Sequence, residues 1–517
     1  MTVFVKKGAQ KMGKKYFLGV DIGTFESKGL LMDENCEVVA THAERHEMEN
    51  PAPNHFEMDA EAVWWGDFCK ISRALLEKTG ISNGDIQCVG VSTMGAGLVP
   101  VDEDCMPLLK AIPYGIDARA EKEIEAMYEK YGEEEVLRFN GRPLCANDVP
   151  PKILWIRNHY PEIYEKAHKF LTGSSFMTAK LTGKYVIDRF LGYGGFTPLY
   201  DPDAGTVNEK YCRDFCRPEQ LAELHDNTDI VGTVTAKAAA QTGLLEGTPV
   251  ITGADDSGAE AISTGILEVG DLMIQLGSTL YFIGIADHLA HDRRIWSGGF
   301  LIPKTNSVQG GTNAAGTLTR WYRDNLFFDA LALEKEGGPD AYETMMEGLA
   351  EIPAGSDGLI TLPYIVGERT PINDPKAKGV IFGLSVQHTR THLYHSALES
   401  IGYSIANHLA IFRENDAPPK RIFAVGGGTK NPIWIQMIAD ITGENIHTAN
   451  VTIGAAYGDA LLAAIATGHI EKFADIRKYI TEGVCYKPNP ENHEAYKKYH
   501  RIFNQLYENS KELMHQL

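Results

Sequence analysis

The chain has little that would tie it to a membrane, a nucleic acid or an oxidising compartment. No run of apolar residues approaches the roughly 20 needed to cross a bilayer. The start, Met1 to Lys15, is basic but lacks the continuous apolar core of a signal peptide. Positive charge is scarce: 49 Lys and Arg stand against 69 Asp and Glu, a net charge of −20, and no Lys/Arg cluster stands out. This excludes a nucleic-acid or acidic-membrane partner, so any anionic ligand must be held locally by backbone N–H groups, a few cations or a metal. The eight cysteines are scattered without a Cys-x-x-Cys pair, and no His/Cys pair at zinc spacing follows Cys212 and Cys216. They read as reduced thiols of a cytoplasmic protein. Low-complexity segments and short-period repeats are also missing.

What is there is a long, ordinary globular chain of 517 residues, 44% hydrophobic and 23% charged, too long for one core. Two segments share a pattern. Tyr16 to Asp33 is an apolar hairpin around the polar turn Asp21-Ile-Gly-Thr, and Asp271 to Ile285 is another around Gly277-Ser278-Thr279. One hairpin per half indicates a weak two-fold duplication. The expected division is a loose tail over 1–15, an N-terminal domain over 16–260 and a C-terminal domain over 261–517. A helix is expected over Ala60–Lys78 and a strand over Asp85–Ser92. In the second half, a Gly-rich loop at Gly310-Gly311-Thr312 should precede a helix through Trp321. A strand at Arg421–Val425 should run into Gly426-Gly427-Gly428 and a helix over Pro432–Thr442.

The stretch Ile251–Ala261 carries the most chemistry. A short strand, limited by Pro249, feeds a turn bearing Asp255 and Asp256, and a small-residue helix opens at Ser257. A carboxylate at such a corner either caps the helix or points into a cleft above the strand. The hairpin turns can offer backbone N–H groups to phosphate, with Thr24, Ser278 or Thr279 adding hydroxyl donors. Asp21 can orient Mg²⁺ through its waters, since magnesium keeps much of its hydration shell. The glycine triplet is neither a Walker A loop nor Gly-x-Gly-x-x-Gly. It reads as a tight strand–helix turn or as a surface against adenosine, and Asn431 as a polar contact or a cap.

Together these residues resemble the FGGY family of carbohydrate kinases, from Tyr16 to about Tyr496. The second family signature is met by Gly379-Val-Ile-Phe-Gly-Leu384, seven residues, then His392-Leu-Tyr-His-Ser-Ala-Leu-Glu399. Gly367-Glu-Arg-Thr-Pro371 resembles the stretch before it in pentulose kinases. The first signature is met by Lys152–His159, with departures at Asn147 and Val149. The resemblance implies an α/β fold of two actin-like (ribonuclease-H-like) domains around a cleft, ATP held mainly by the second and sugar by the first. It implies Asp256 as the base and Asp255 as cap or support. It places Gly23, Thr24, Gly277 and Ser278 at the phosphates, Gly427, Gly428 and Asn431 towards adenosine, and Gly311 and Gly316 along the nucleotide.

The sugar side departs from the pattern. Met94-Gly95-Ala96 stands where xylulose kinases carry Gln-Met-His, which removes an imidazole from the pocket. Tyr114 and Asp117, with Arg119 nearby, correspond to the family's aromatic residue and Asp just after that loop if one residue is inserted. Glu26 stands where the family often has Ser, beside the first turn, and must turn away from phosphate or meet a metal. The implied reaction is MgATP-dependent phosphorylation of a primary hydroxyl of a small sugar, a ketopentose first. The alternatives are a tetritol, glycerol or gluconate as acceptor, or a sensing protein that has lost its chemistry. The resemblance also suggests a homodimer.

Overall fold

In a computed structural model, which describes residues 14–449 and 454–517, the chain forms two seven-stranded sheets with helices against them. Residues 1–13 of the expected tail lie outside the described residues. The first sheet grows from Tyr16–Ile22 and Glu26–Asp33, paired antiparallel with Asp21 opposite Lys28. Val38–Arg45 extends the antiparallel side, and Ile86–Thr93 runs parallel to the first strand on its other side. Phe17, Val20 and Ile22 are fully buried, as strands covered on both faces require. Pro249–Ile251 joins Ile86–Thr93 through a single pairing, Val250 with Val89. Its proline has no N–H for a ladder, which keeps this strand short.

The second sheet repeats the plan. Asp271–Leu276 and Leu280–Ala286 form the hairpin, Asn306–Thr312 pairs antiparallel beside it, and Arg421–Val425 runs parallel on the other side. The expected loop at Gly310–Thr312 is therefore the end of a strand. Its glycines answer a need for space. A Cβ on Gly310 would lie 2.7 Å from the His408 ring, and one on Gly311 would lie 2.6 Å from the Leu280 carbonyl oxygen.

The expected boundary between residues 260 and 261 falls inside the helix Asp256–Ser263. The halves also interlock through Ala455–Ala466, a helix late in the sequence that packs on the first sheet. Gly19 and Gly90 allow its close approach: Cβ atoms there would stand 1.9 Å from Ala456 O and 2.3 Å from Asp459 O. Two hydrogen bonds fasten it, Tyr457 hydroxyl to Cys36 O at 2.9 Å and Ser92 hydroxyl to Asp459 Oδ2 at 2.7 Å. The first sheet thus takes one of its covering layers from the far end of the chain.

Candidate active site

The corner is built by backbone pairing. Ala254–Asp255 pairs parallel with Ile86–Thr93, Asp255 beside Thr93, and the helix Asp256–Ser263 starts at once. Asp255 is its cap: buried, it accepts from the N–H groups of Ser257 at 3.1 Å and Gly258 at 3.3 Å, and from the Ser257 hydroxyl. The helix opens one residue earlier than expected, and Asp256 is its first residue. The Asp256 carboxylate takes only the adjacent Ser257 N–H, at 2.7 Å, and remains partly exposed. Capping and reaching out are divided between the two neighbours.

Asp256 lies on the wall shared by two cavities. One, of about 290 Å³, runs past Gly95, Tyr114, Asn147, Tyr281, Trp296 and Gln309. The other, of about 380 Å³, is bounded by Asp21, Lys28, Glu260, Gly426 and Gly454. A third, of about 680 Å³, is lined by Gly277, Ser278, Gly316, Gly427, Gly428 and Asn431, with Tyr394 and Trp434. Most of the residues expected at the nucleotide therefore gather around one space. Gly311 is not on that lining; its N–H donates to Thr370 Oγ1 at 2.6 Å. Asn431 is also the cap of Pro432–Thr442, accepting from the Trp434 N–H at 3.1 Å.

The two polar turns are held differently. In the first, Gly23 N–H donates to Glu26 O at 3.2 Å, and the Thr24 hydroxyl lies 3.3 Å from that of Tyr114. His46, almost fully buried, bridges Gly23 O at 3.0 Å and Asp67 Oδ2 at 2.9 Å. Both partners accept, an arrangement that favours a ring donating from both nitrogens, the protonated form. Burial opposes that charge, but the bonds to Asp67 and to the turn carbonyls outweigh it and hold His46 above the ordinary histidine value. Glu26 turns away to Lys28 at 3.0 Å and Arg45 at 3.5 Å. In the second turn, the N–H groups of Ala315, Gly316 and Thr317 donate to Ser278 O, Gly277 O and Ser278 O at 3.1, 2.9 and 2.9 Å.

Three residues expected at the sugar stand elsewhere. Met94 is buried, and neither it nor Asp117 or Arg119 lines the 290 Å³ cavity. Asp117 and Arg119 pair with each other at 2.9 Å, Asp117 also accepts the Phe56 N–H at 2.6 Å, and Arg119 reaches Glu57 at 3.1 Å. Their place is behind the turn from Tyr114 to Asp117, which presents Tyr114 to the cavity. A buried charge needs its partner close, and these two have consumed each other. Gly95 does reach the cavity, where a Cβ would stand 3.0 Å from Asp255 Oδ1. Residues that the sequence did not single out complete the wall: Tyr281, whose hydroxyl donates to Gln309 Oε1 at 2.8 Å, and Trp296 on a strand the hydrophobic pattern did not reveal. Lys152, inside the first signature, is buried and donates to Pro113 O at 2.5 Å and Tyr114 O at 3.2 Å.

The acidic side is crowded. Burial pushes the Asp21 carboxyl up to about 7, with Ser92 and Lys28 opposing and Glu260 and Asp255 adding to it. Burial, and after it Asp255 and Asp21, also raise Asp256 well above the carboxylate range. Among the described residues, Lys28 is the one basic residue lining the 380 Å³ cavity, against Asp21, Asp256 and Glu260. Among the described residues no three His, Cys, Asp or Glu converge closely enough to ligate a bare ion. Carboxylates that are clustered but not converging fit a hydrated divalent cation bound through its waters.

Turns on either side of an outward-reaching aspartate, with a nucleotide-sized space beyond one of them, define a phosphotransferase built on two actin-like halves. Residues 16–263 match the N-terminal domain of the FGGY family of carbohydrate kinases and residues 295–467 its C-terminal domain. The chain belongs to that family and is a sugar kinase. It is 27% identical to xylulose kinase of Bacillus subtilis over 96% of this chain and 98% of that one. It is 27% identical to gluconokinase of the same organism over 95% of each. The crystal structure of xylulose kinase from Rhodospirillum rubrum superposes with a TM-score of 0.89 at 28% identity, over 97% of this chain and 100% of that one.

Proposed function

We propose that the enzyme transfers the γ-phosphoryl group of ATP to a primary hydroxyl of a ketopentose, with Asp256 as general base. The position of Asp256, on the wall between the 290 Å³ and 380 Å³ cavities, carries this reading. An acceptor alcohol in the first can give its proton to the carboxylate while its oxygen attacks phosphorus. The new O–P bond forms as the bond to the β-phosphate oxygen breaks, and ADP leaves. A carboxylate suffices because the alcohol is deprotonated late in a loose transition state. For the same reason the raised Asp256 must first be ionised. Asp21, Asp256 and Glu260 would hold a hydrated Mg²⁺, which when bound supplies positive charge to the phosphates and favours ionised carboxylates around it. Positioning falls to Ser278 and the Gly427–Gly428 segment on the nucleotide side, and to Gly95, Tyr114 and Tyr281 on the acceptor side.

The ketopentose is supported by the xylulose kinases among the relatives, and gluconokinase at equal identity keeps an aldonate as the second reading. Sugar-dependent ADP release across ketopentoses, polyols and aldonates, followed by phosphorus NMR of the product, tests both. Turnover confined to polyols without a keto or carboxylate group would sink the two readings together. A cytoplasmic location accords with eight free cysteines and a net charge of −20. The homodimer rests on the family resemblance, and sedimentation measures it.

A further inference from the structure

Among the described residues, one cation that lines the acceptor cavity has no carboxylate within ion-pair distance. Two guanidinium groups line it, those of Arg142 and Arg369. Arg142 is matched by Asp148, with Nη2 2.8 Å from Oδ1 and Nη1 3.1 Å from Oδ2. Arg369 has no such partner. Its Nη2 donates to Thr312 O at 3.0 Å and, weakly, to Leu280 O at 3.5 Å, and its Cζ lies 5.6 Å from the Trp296 ring centroid. Its Nε is buried and unpartnered among the described residues, where no carboxylate comes within 4.0 Å of the guanidinium. The adjacent Glu368 spends its carboxylate on the N–H groups of Asn313 at 2.7 Å and Arg369 at 2.8 Å, and its charge acts on the guanidinium only from beyond ion-pair distance.

An isolated buried cation is costly, and a guanidinium offers a rigid fork that suits carboxylate and phosphate oxygens. The fork here is anchored by carbonyls rather than by an acid, so its charge is left for a ligand. One anchor lies just after the second polar turn, where Leu280 opens the strand that follows Thr279, and the other, Thr312, is paired with Leu280 on the neighbouring strand; Thr279 lines the same cavity. Arg369 and the corner line one cavity, with Tyr114 and Tyr281 within electrostatic reach of both Arg369 and Asp256. A neutral ketose alone would leave this charge unanswered.

We propose that Arg369 binds an anionic oxygen brought into the acceptor cavity, supplied by the phosphoryl group in transfer or by a carboxylate on the acceptor. The inference rests on the kinase reading and adds a residue and a charge requirement to it. Steady-state kinetics of the full chain and its R369Q and R369K variants, with D-xylulose and with D-gluconate, separate the sources. If the oxygen belongs to the phosphoryl group, R369Q loses about 10²-fold in kcat on every acceptor with KM nearly unchanged. If it belongs to the acceptor, KM for gluconate rises about 10-fold or more and the xylulose constants stay put. R369Q with kcat and KM within twofold of wild type on both acceptors overturns the proposal. Should R369Q fail to fold, R369K is read by the same criterion, since an ammonium cannot reproduce the carbonyl-anchored fork. If wild type phosphorylates neither sugar, the acceptor reading has failed and calorimetry decides on Arg369. Binding of gluconate or inorganic phosphate that R369Q abolishes supports the proposal; binding that survives, or no binding by wild type, ends it.

Discussion

At the Gly23–Thr24 turn a side chain, His46, joins the backbone in the fastening, whereas at Gly277–Thr279 the bonds are backbone to backbone. The first turn hangs on the ring of His46, which is bonded to Asp67, and Asp67 in turn accepts from Ser27 and Lys70. The second is pinned by three consecutive N–H groups at the start of the helix Gly316–Leu326, and Gly277 N–H returns to Thr279 O at 3.1 Å. The two turns follow duplicated hairpins, so the topology is shared while the fastening is not. One turn carries an ionisable latch; the other depends on a residue without a Cβ.

The largest effect should come from the group that faces both halves. Asp256→Asn is expected to lower kcat by about 10² or more while ATP binding persists, read by ADP release and calorimetry. Asp255→Asn, measured alongside, should chiefly lower thermal stability, because that side chain caps the helix. Near-normal turnover in the Asp256 variant with a collapse in the Asp255 variant would reverse the assignment.

Next is the backbone latch. A Cβ at Gly316 would stand 2.6 Å from Gly277 O. Gly316→Ala should cost about 1–3 kcal/mol of local fit and raise KM for ATP about 10-fold. An unchanged KM would mean that the second turn does not set the nucleotide's position.

The side-chain latch should show itself in pH rather than in magnitude. His46 is raised above its ordinary value, so the stability it contributes is complete below about 6.5, the unfolded value, and is lost as pH rises through the folded value. Asp67 is lowered despite its burial, through His46, Lys70 and Ser27. Its contribution is present above the unfolded carboxylate value and lost as pH falls through the folded one. Melting temperature of wild type should therefore decline on the alkaline side, and His46→Gln should flatten that limb at a cost of about 1.5–3 kcal/mol. A limb that survives in the variant belongs to another group. The smallest change expected is for Tyr114→Phe, which removes the 3.3 Å contact with Thr24. A KM shift of about twofold for the acceptor is expected.

The hairpins were legible because apolar alternation, Gly-bearing turns and their repetition point one way, and the corner because Asp-Asp before a small-residue helix is a local signal. Gly310 and Gly311 misled because glycine is counted as loop-forming, while here it makes room for His408 and Leu280 O inside a strand. Asp117 and Arg119 looked like a polar site, yet whether two opposite charges face a ligand or each other is not a local property. Arg369 stood in a recognised stretch, but its lack of an acidic partner is invisible until the chain is folded.

The sequence by itself determined the family, the duplicated plan and the aspartate pair, since these rest on residue type and spacing over short distances. Tertiary structure alone decided that a helix near residue 460 covers the first sheet, and which of two arginines is left without a carboxylate in ion-pair range. The helix depends on atoms hundreds of residues apart coming within hydrogen-bond range, the arginines on which groups the fold sets beside each, and burial then fixes the cost of each unmatched charge.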